Sequence, residues 1–264
     1  MDVDWIAARV DDPGVRVVEV DVSRAAYEQG HIPGAVLWNA YADLRDGSYR
    51  PVGQEELGRL LSRSSVRAET TVVVYGYAAP LGFWLLKALA HTDARILPGT
   101  REQWPESGRD WSTDPPDTNE TAYPPPAEDA DLVASRREVE AAIDDPAQVV
   151  VDTRSELEYS GERFWPSGAT EDVGRAGHVP GAISVPIASL HEDDGTLKSP
   201  DELREIFEQA GVTKDKRVIT YCTIGNRASE AWFALTYLLR YPDVRVYYGS
   251  WVDWGKAADT PVEI

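Results

Sequence analysis

Short apolar runs alternate along this chain with longer segments in which apolar residues return every three or four positions. RVITY, at 217–221, has apolar residues on both faces, as a buried parallel strand does. Ala231, Ala234, Leu235 and Leu238 follow at the i, i+3, i+4, i+7 spacing of a core-facing helix, and VRVYY at 244–248 reads as the next strand. Upstream, Ser135 with Glu138 three residues later is a capping-box signature that opens a helix before the β-branched run ending at Asp152. Ser199 and Pro200 open an amphipathic helix over 201–209. This alternation predicts an α/β fold, a parallel β-sheet flanked by helices on both faces.

The pattern occurs twice. VVEVDVSR pairs with VVVDTRSE through Asp21 and Asp152, GHIPGA at 30–35 with GHVPGA at 177–182, EELGRLL with DELREIF, VVVYG with VITYC, and LPGTREQW with YYGSWVDW. The offset grows from 131 to 147 residues between the first two pairs, so the second copy carries an insertion near SGERFWPSGATEDVGR. Between the copies lies a stretch dense in Pro, Asp and Thr that cannot bury a core of its own. The sequence therefore divides into residues 1–110, a linker over 111–131, and residues 132–264.

Composition narrows the function. Forty-five acidic against twenty-six basic residues give a formal charge of −19, which repels nucleic-acid backbones and anionic membranes, and no segment approaches a spanning apolar run. The acidic amino terminus lacks the pattern of a secretory leader, which leads to the expectation of a cytoplasmic protein. One cysteine excludes an intramolecular disulfide and a thiolate cluster, and four scattered histidines without ligand spacing predict no metal site. No cofactor is expected.

That cysteine, Cys222, falls between a predicted central strand and a predicted helix, where open α/β sheets place their sites. Loop N–H groups and the helix dipole converge there on an anion, and helix N-termini favour the reactive thiolate. Gly225 allows positive φ and close approach, Thr223 and Asn226 add polar groups, Ile224 completes the turn, and Arg227 ends the six-residue loop with a fixed charge. Such a cradle suits a persulfide anion on Cys222, loaded in one half-reaction and emptied in another.

The tandem repeat, the GHIPGA and GHVPGA pair and the Cys-x-x-Gly-x-Arg loop together resemble the two-domain rhodaneses, thiosulfate and 3-mercaptopyruvate sulfurtransferases, over nearly the whole chain. DGTLKSPDELREIF and GSWVDWG are similar to segments of the bacterial thiosulfate enzymes. The resemblance implies two rhodanese-like domains, the first catalytically silent because Gly76 stands in the cysteine's place, and a Cys222 persulfide that passes sulfur from thiosulfate or 3-mercaptopyruvate to cyanide or a thiol. Two copies that supply each other's interface make a monomer the expectation. The loop departs from both subfamily patterns at Thr223, and Glu158 stands where the family often has a substrate-binding arginine, so Arg227, then Arg175, is the expected anion contact. Asp152 and His178 have twins in the silent copy and read as loop supports, Asp152 through hydrogen bonds or a pair with Arg227. Arg163, in the insertion, is a further candidate for the mouth of the site. Two rival readings are a Cys-x5-Arg phosphatase, for which this loop is one residue short, and a sulfur-sensing module that loads persulfide without turnover.

Overall fold

β-Branched runs build two separate sheets. The computed structural model describes residues 1–125, 129–165 and 174–264, and the chain divides into two units, Met1–Asp129 and Ala130–Ile264. The first holds strands β1 (Val15–Asp21), β2 (Val36–Asn39), β3 (Thr71–Tyr75) and β4 (Ala94–Ile96), with helices α1 (Val3–Ala7), α2 (Arg24–Gln29), α3 (Gln54–Arg63), α4 (Ala79–Ala88) and α5 (Gln103–Glu106). The second holds β5 (Gln148–Asp152), β6 (Ile183–Ser184), β7 (Arg217–Tyr221) and β8 (Val244–Val246), with α6 (Arg136–Ala142), α7 (Glu156–Tyr159), α8 (Pro200–Gln209), α9 (Asn226–Phe233) and α10 (Ser250–Trp254). Each sheet is parallel, ordered β2-β1-β3-β4 or β6-β5-β7-β8, and is flanked by helices, so the α/β expectation for each repeat is met.

Local signals act where the sequence places them. Ser135 and Ser199 both make complete capping boxes, with Glu138 and Glu202, and the buried face of α8 is Leu203 and Phe207. The stripe predicted through Leu238 slips by one residue. After Phe233 the helix widens into a π-turn over Ala234–Leu238, closed by Leu239 N–H on the Ala234 carbonyl at 2.9 Å, so Leu239 is buried while Leu238 is only half-buried. Of the Pro- and Asp-rich stretch read as a linker over 111–131, residues 111–125 belong to the first unit, which extends to Asp129. Backbone bonds between Ser112 and His31, from Thr121 to the Ser62 carbonyl, and a Tyr123 hydroxyl to His91 Nδ1 contact at 2.9 Å hold it there.

Strand register revises the pairing of the copies. Tyr75 ends β3 opposite Glu19, whereas Tyr221 ends β7 opposite Asp152, and on the other side Val18 faces Val36 as Val151 faces Ile183. Glu19, not Asp21, is thus the counterpart of Asp152. Asp21 lies two residues farther along the longer β1, where its carboxylate accepts the N–H groups of Val22, Ser23 and Tyr77.

The Tyr75 hydroxyl donates to buried Glu19, and Arg101 lies against that carboxylate, its Nε 3.4 Å from Oε1. Burial drives the Glu19 carboxyl up to about 7, over the opposing pulls of Tyr75 and Arg101. A folded value above the unfolded one of about 4.3 means that Glu19 favours folding fully below that pH and that this contribution is lost as pH rises through about 7. Thermal unfolding of the whole chain is expected to show a loss on the order of 3 kcal/mol across that window, and Glu19→Gln to flatten it; a wild-type profile no steeper than that of the variant would contradict the assignment.

Candidate active site

β7 ends at Tyr221, and α9 begins at Asn226 behind Gly225, whose φ of +97° turns the chain from strand to helix. Cys222 lies in the bend, fully buried, and its Sγ accepts the Gly225 N–H at 3.0 Å. The first turn of α10 pins the loop from beside it. Ser250 Oγ accepts the Cys222 N–H at 3.2 Å, Trp251 N–H donates to the Cys222 carbonyl at 2.9 Å, and Val252 N–H donates to the Thr223 carbonyl at 3.1 Å. A Cβ on residue 225 would stand 2.6 Å from the Tyr248 ring, so glycine is needed for space as well as for its positive φ. Ser250 and Tyr248 are not among the site residues the sequence suggests; the signal for them is YYGSWVDW, the segment that repeats LPGTREQW of the first copy.

The two departures from the expected pattern touch each other. Glu158, at the third position of α7, is completely buried as a side chain. Thr223 Oγ1 donates to its Oε1 at 2.7 Å, and Arg227 spans both oxygens at 2.8 Å each while also reaching Thr223 Oγ1 at 2.6 Å. Ser155 caps α7 and gives Glu158 Oε2 its backbone N–H and hydroxyl at 3.1 and 2.8 Å. Burial alone would raise the Glu158 carboxyl, but Arg227 and Thr223 outweigh it and hold the group at about 2. The S-E-L-E capping box at 155–158 fixes where this carboxylate sits, and it was legible in the sequence.

Asp152 does not pair with Arg227. Its carboxylate takes the N–H, Nε and Nη2 of Arg154 at 2.9, 3.0 and 2.6 Å and the Tyr221 hydroxyl at 2.5 Å. An arginine two residues along the same strand exit is already within reach, and Glu158 occupies Arg227. Arg154 also donates to the Gly177 carbonyl at 2.8 Å and lies over the Trp251 ring at 4.4 Å, joining β5, the GHVPGA turn and α10 around the residue before Cys222.

Arg175 is drawn to the end of the chain instead of the loop. Its guanidinium donates to the carbonyls of Gly255 and Ala257 at 3.2 and 2.8 Å and to Thr260 Oγ1 at 2.6 Å, because the bend after α10 gathers these acceptors there. His178 packs as a turn residue: its ring stacks on Tyr159 with centroids 3.6 Å apart, and Nδ1 lies 3.0 Å from the Tyr159 carbonyl. His31 stacks on Tyr27 in the same way. Ile224 is buried and Asn226 half-buried at the first turn of α9. Much of the insertion, residues 166–173, lies outside the described residues; of Arg163 the backbone N–H donates to the Leu157 carbonyl at 2.8 Å. The corresponding loop of the first unit has no cysteine, and Gly76 has a φ of +100°.

Among the described residues no group of three or more His, Cys, Asp and Glu side chains could hold a metal, and no helix is long and apolar enough to cross a membrane. The centre that remains is a single buried sulfur at a helix N-terminus, with a loop arginine whose charge is matched by a carboxylate.

Comparison with known proteins bears on the chain as a whole. The rhodanese-like domain profile matches residues 2–107 and 135–257. A sulfur carrier protein, TtuD, from Thermus thermophilus is 40% identical over 98% of this chain and 94% of its own length. A Haloferax volcanii protein named "Putative thiosulfate sulfurtransferase" is 38% identical over 98% and 94%. Among solved structures, the anaerobic ergothioneine biosynthesis enzyme of Chlorobium limicola, with trimethyl histidine bound, matches with a TM-score of 0.87 at 26% identity, covering 100% of this chain and 69% of the other. An EanB variant carrying a cysteine persulfide, in a tetrahedral intermediate state with ergothioneine, matches with a TM-score of 0.89 at 25% identity over 100% and 70%. Two matched copies and relatives alike from end to end place the chain in the rhodanese family of sulfurtransferases.

Proposed function

We propose that Cys222 accepts sulfane sulfur from a small anionic donor, thiosulfate first, and passes it as a persulfide to cyanide or a thiol. The observation that carries this reading is the only sulfur atom of a cysteine in the chain, seated 3.0 Å from a loop N–H at the start of α9, with Arg227 closing the same loop. In the first half-reaction the Cys222 thiolate attacks the outer sulfur of thiosulfate, the S–S bond to the sulfonate breaks, and sulfite leaves with the electron pair. In the second, an acceptor nucleophile takes the outer sulfur and the thiolate returns. The loop donors hold negative charge on sulfur in both states. The names of the relatives support the reaction class, and the persulfide seen in the EanB variant supports the intermediate. 3-Mercaptopyruvate is the alternative donor. The sulfur-carrier name of the Thermus relative favours a second reading, in which the persulfide is delivered to a partner instead of being turned over on cyanide. The loop places four residues between Cys222 and Arg227, one fewer than the phosphatase spacing, and that rival is set aside.

Intact mass after brief exposure to thiosulfate, then cyanide, is expected to show one sulfur atom gained and lost. Cys222→Ser is expected to remove the mass gain and to lower transfer by about a thousandfold or more; retained transfer in that variant would overturn the mechanism. Gly76→Cys is expected to add no second cyanide-labile sulfur, since a Cβ there meets the Val20 carbonyl at 3.0 Å in a backbone conformation that side chains rarely adopt. Gly225→Ala is expected to cost about 1–3 kcal/mol in stability and to slow loading, because both strain and the Tyr248 ring oppose the added carbon; an unchanged melting temperature and loading rate would show that the loop is looser than described.

A further inference from the structure

Arg227 is the fixed cation of the cysteine loop, and it is not available as a full charge. Glu158 takes two of its N–H groups, one on each oxygen, and Thr223 takes a third contact and binds Glu158 in turn. Two neighbouring arginines are committed as well, Arg154 to Asp152 and Arg175 to the carbonyls beyond α10. An incoming donor therefore meets a thiolate beside an ion pair of no net charge. From this we infer that Glu158 is a specificity-determining residue, which cancels Arg227 and so disfavours dianionic sulfur donors relative to monoanionic donors of the same shape. This deepens, and rests on, the sulfur-transfer reading above.

Electrostatics sets the direction. Attraction to Arg227 and repulsion from Glu158 both scale with donor charge and largely cancel, which leaves the repulsion of the thiolate, so a second negative charge on the donor adds cost without adding a contact. Glu158 stays ionised across the working range, since its carboxyl is held at about 2, so the penalty does not lift at neutral pH. Thr223 makes the arrangement rigid by fixing the carboxylate from the loop side.

Thiosulfate and methanethiosulfonate make a matched pair of donors. Each has a tetrahedral sulfur bearing one transferable outer sulfur, and they carry two and one negative charges. The thiolate attacks the outer sulfur of either one, the S–S bond breaks, and the electron pair leaves with sulfite or with methanesulfinate. The experiment measures kcat/KM for both donors with cyanide as acceptor, in the wild-type chain and in Glu158→Gln, which keeps the size of the side chain and removes its charge. The expected result is a shift of the thiosulfate to methanethiosulfonate ratio in favour of thiosulfate by tenfold or more. Equal changes for both donors, or a shift the other way, would overturn the inference. Glu158→Asp, which keeps the charge, is expected to leave the ratio within about threefold of wild type, and a shift equal to that of the glutamine variant would overturn it too.

Binding separates this inference from the reading beneath it. In Cys222→Ser, where no sulfur moves, calorimetry with sulfate and with methanesulfonate is expected to show the monoanion bound more tightly with Glu158 present, and the order reversed with Glu158→Gln added. If neither donor loads wild-type Cys222, the sulfur-transfer reading fails, and the anion pair still decides the role of Glu158. Should the glutamine variant fail to fold, the wild-type order of the two anions decides it: tighter sulfate would overturn the inference.

Discussion

The buried ion pair between Asp152 and Arg154 is the constraint on which the site rests. Both side chains are almost wholly removed from water, and each is satisfied on several sides: Asp152 by three donors of Arg154 and by the Tyr221 hydroxyl, Arg154 by the Gly177 carbonyl and the face of Trp251 as well. A buried pair of this kind adds little net stability, but loss of one partner leaves a charge stranded, so the group behaves as a unit. It ties the exits of two neighbouring strands, the GHVPGA turn and α10 to one point. Cys222 is the next residue along the chain from Tyr221, and its position follows from that point.

The first unit solves the same problem with different residues. Its Tyr75 hydroxyl also finds a carboxylate directly across the sheet, on Glu19, and the carbonyl of Gly30 receives Arg101, from the segment after β4, where Gly177 receives Arg154 from just beyond β5. The geometry of tyrosine, acid, arginine and glycine carbonyl is preserved while the acid is one methylene longer and the arginine alone comes from elsewhere in the chain. What differs is satisfaction. Asp152 is fully hydrogen-bonded, whereas one Glu19 oxygen and the Arg101 Nε lack good bonds, so in the first unit burial raises the carboxyl with less to oppose it.

Much of the fold was legible because its signals are local. Capping boxes, β-branched runs and the glycine before α9 act over three or four residues, and they appear where the sequence places them. Contacts between elements were harder to read. Asp152 was matched with Asp21 because identical residues align most easily, yet strand register, which no one-dimensional pattern records, matches it with Glu19. Arg227 and Glu158 are 69 residues apart, and only the fold shows that the unexpected acid and the expected cation cancel. The π-turn after Phe233 likewise follows from packing and not from spacing.

Gly225 and the bend after β8 occupy complementary volumes. The Tyr248 ring fills the space a side chain at 225 would take, while the N–H groups of Trp251 and Val252 hold the carbonyls of Cys222 and Thr223. The cysteine loop therefore has no slack of its own: an inserted residue would have to displace Tyr248 and break the bonds that Trp251 and Val252 make. The unit that can be exchanged between relatives, or lengthened toward another reaction class, is the pair of loops together, residues 222–227 with 247–252, two segments distant in sequence that must change as one.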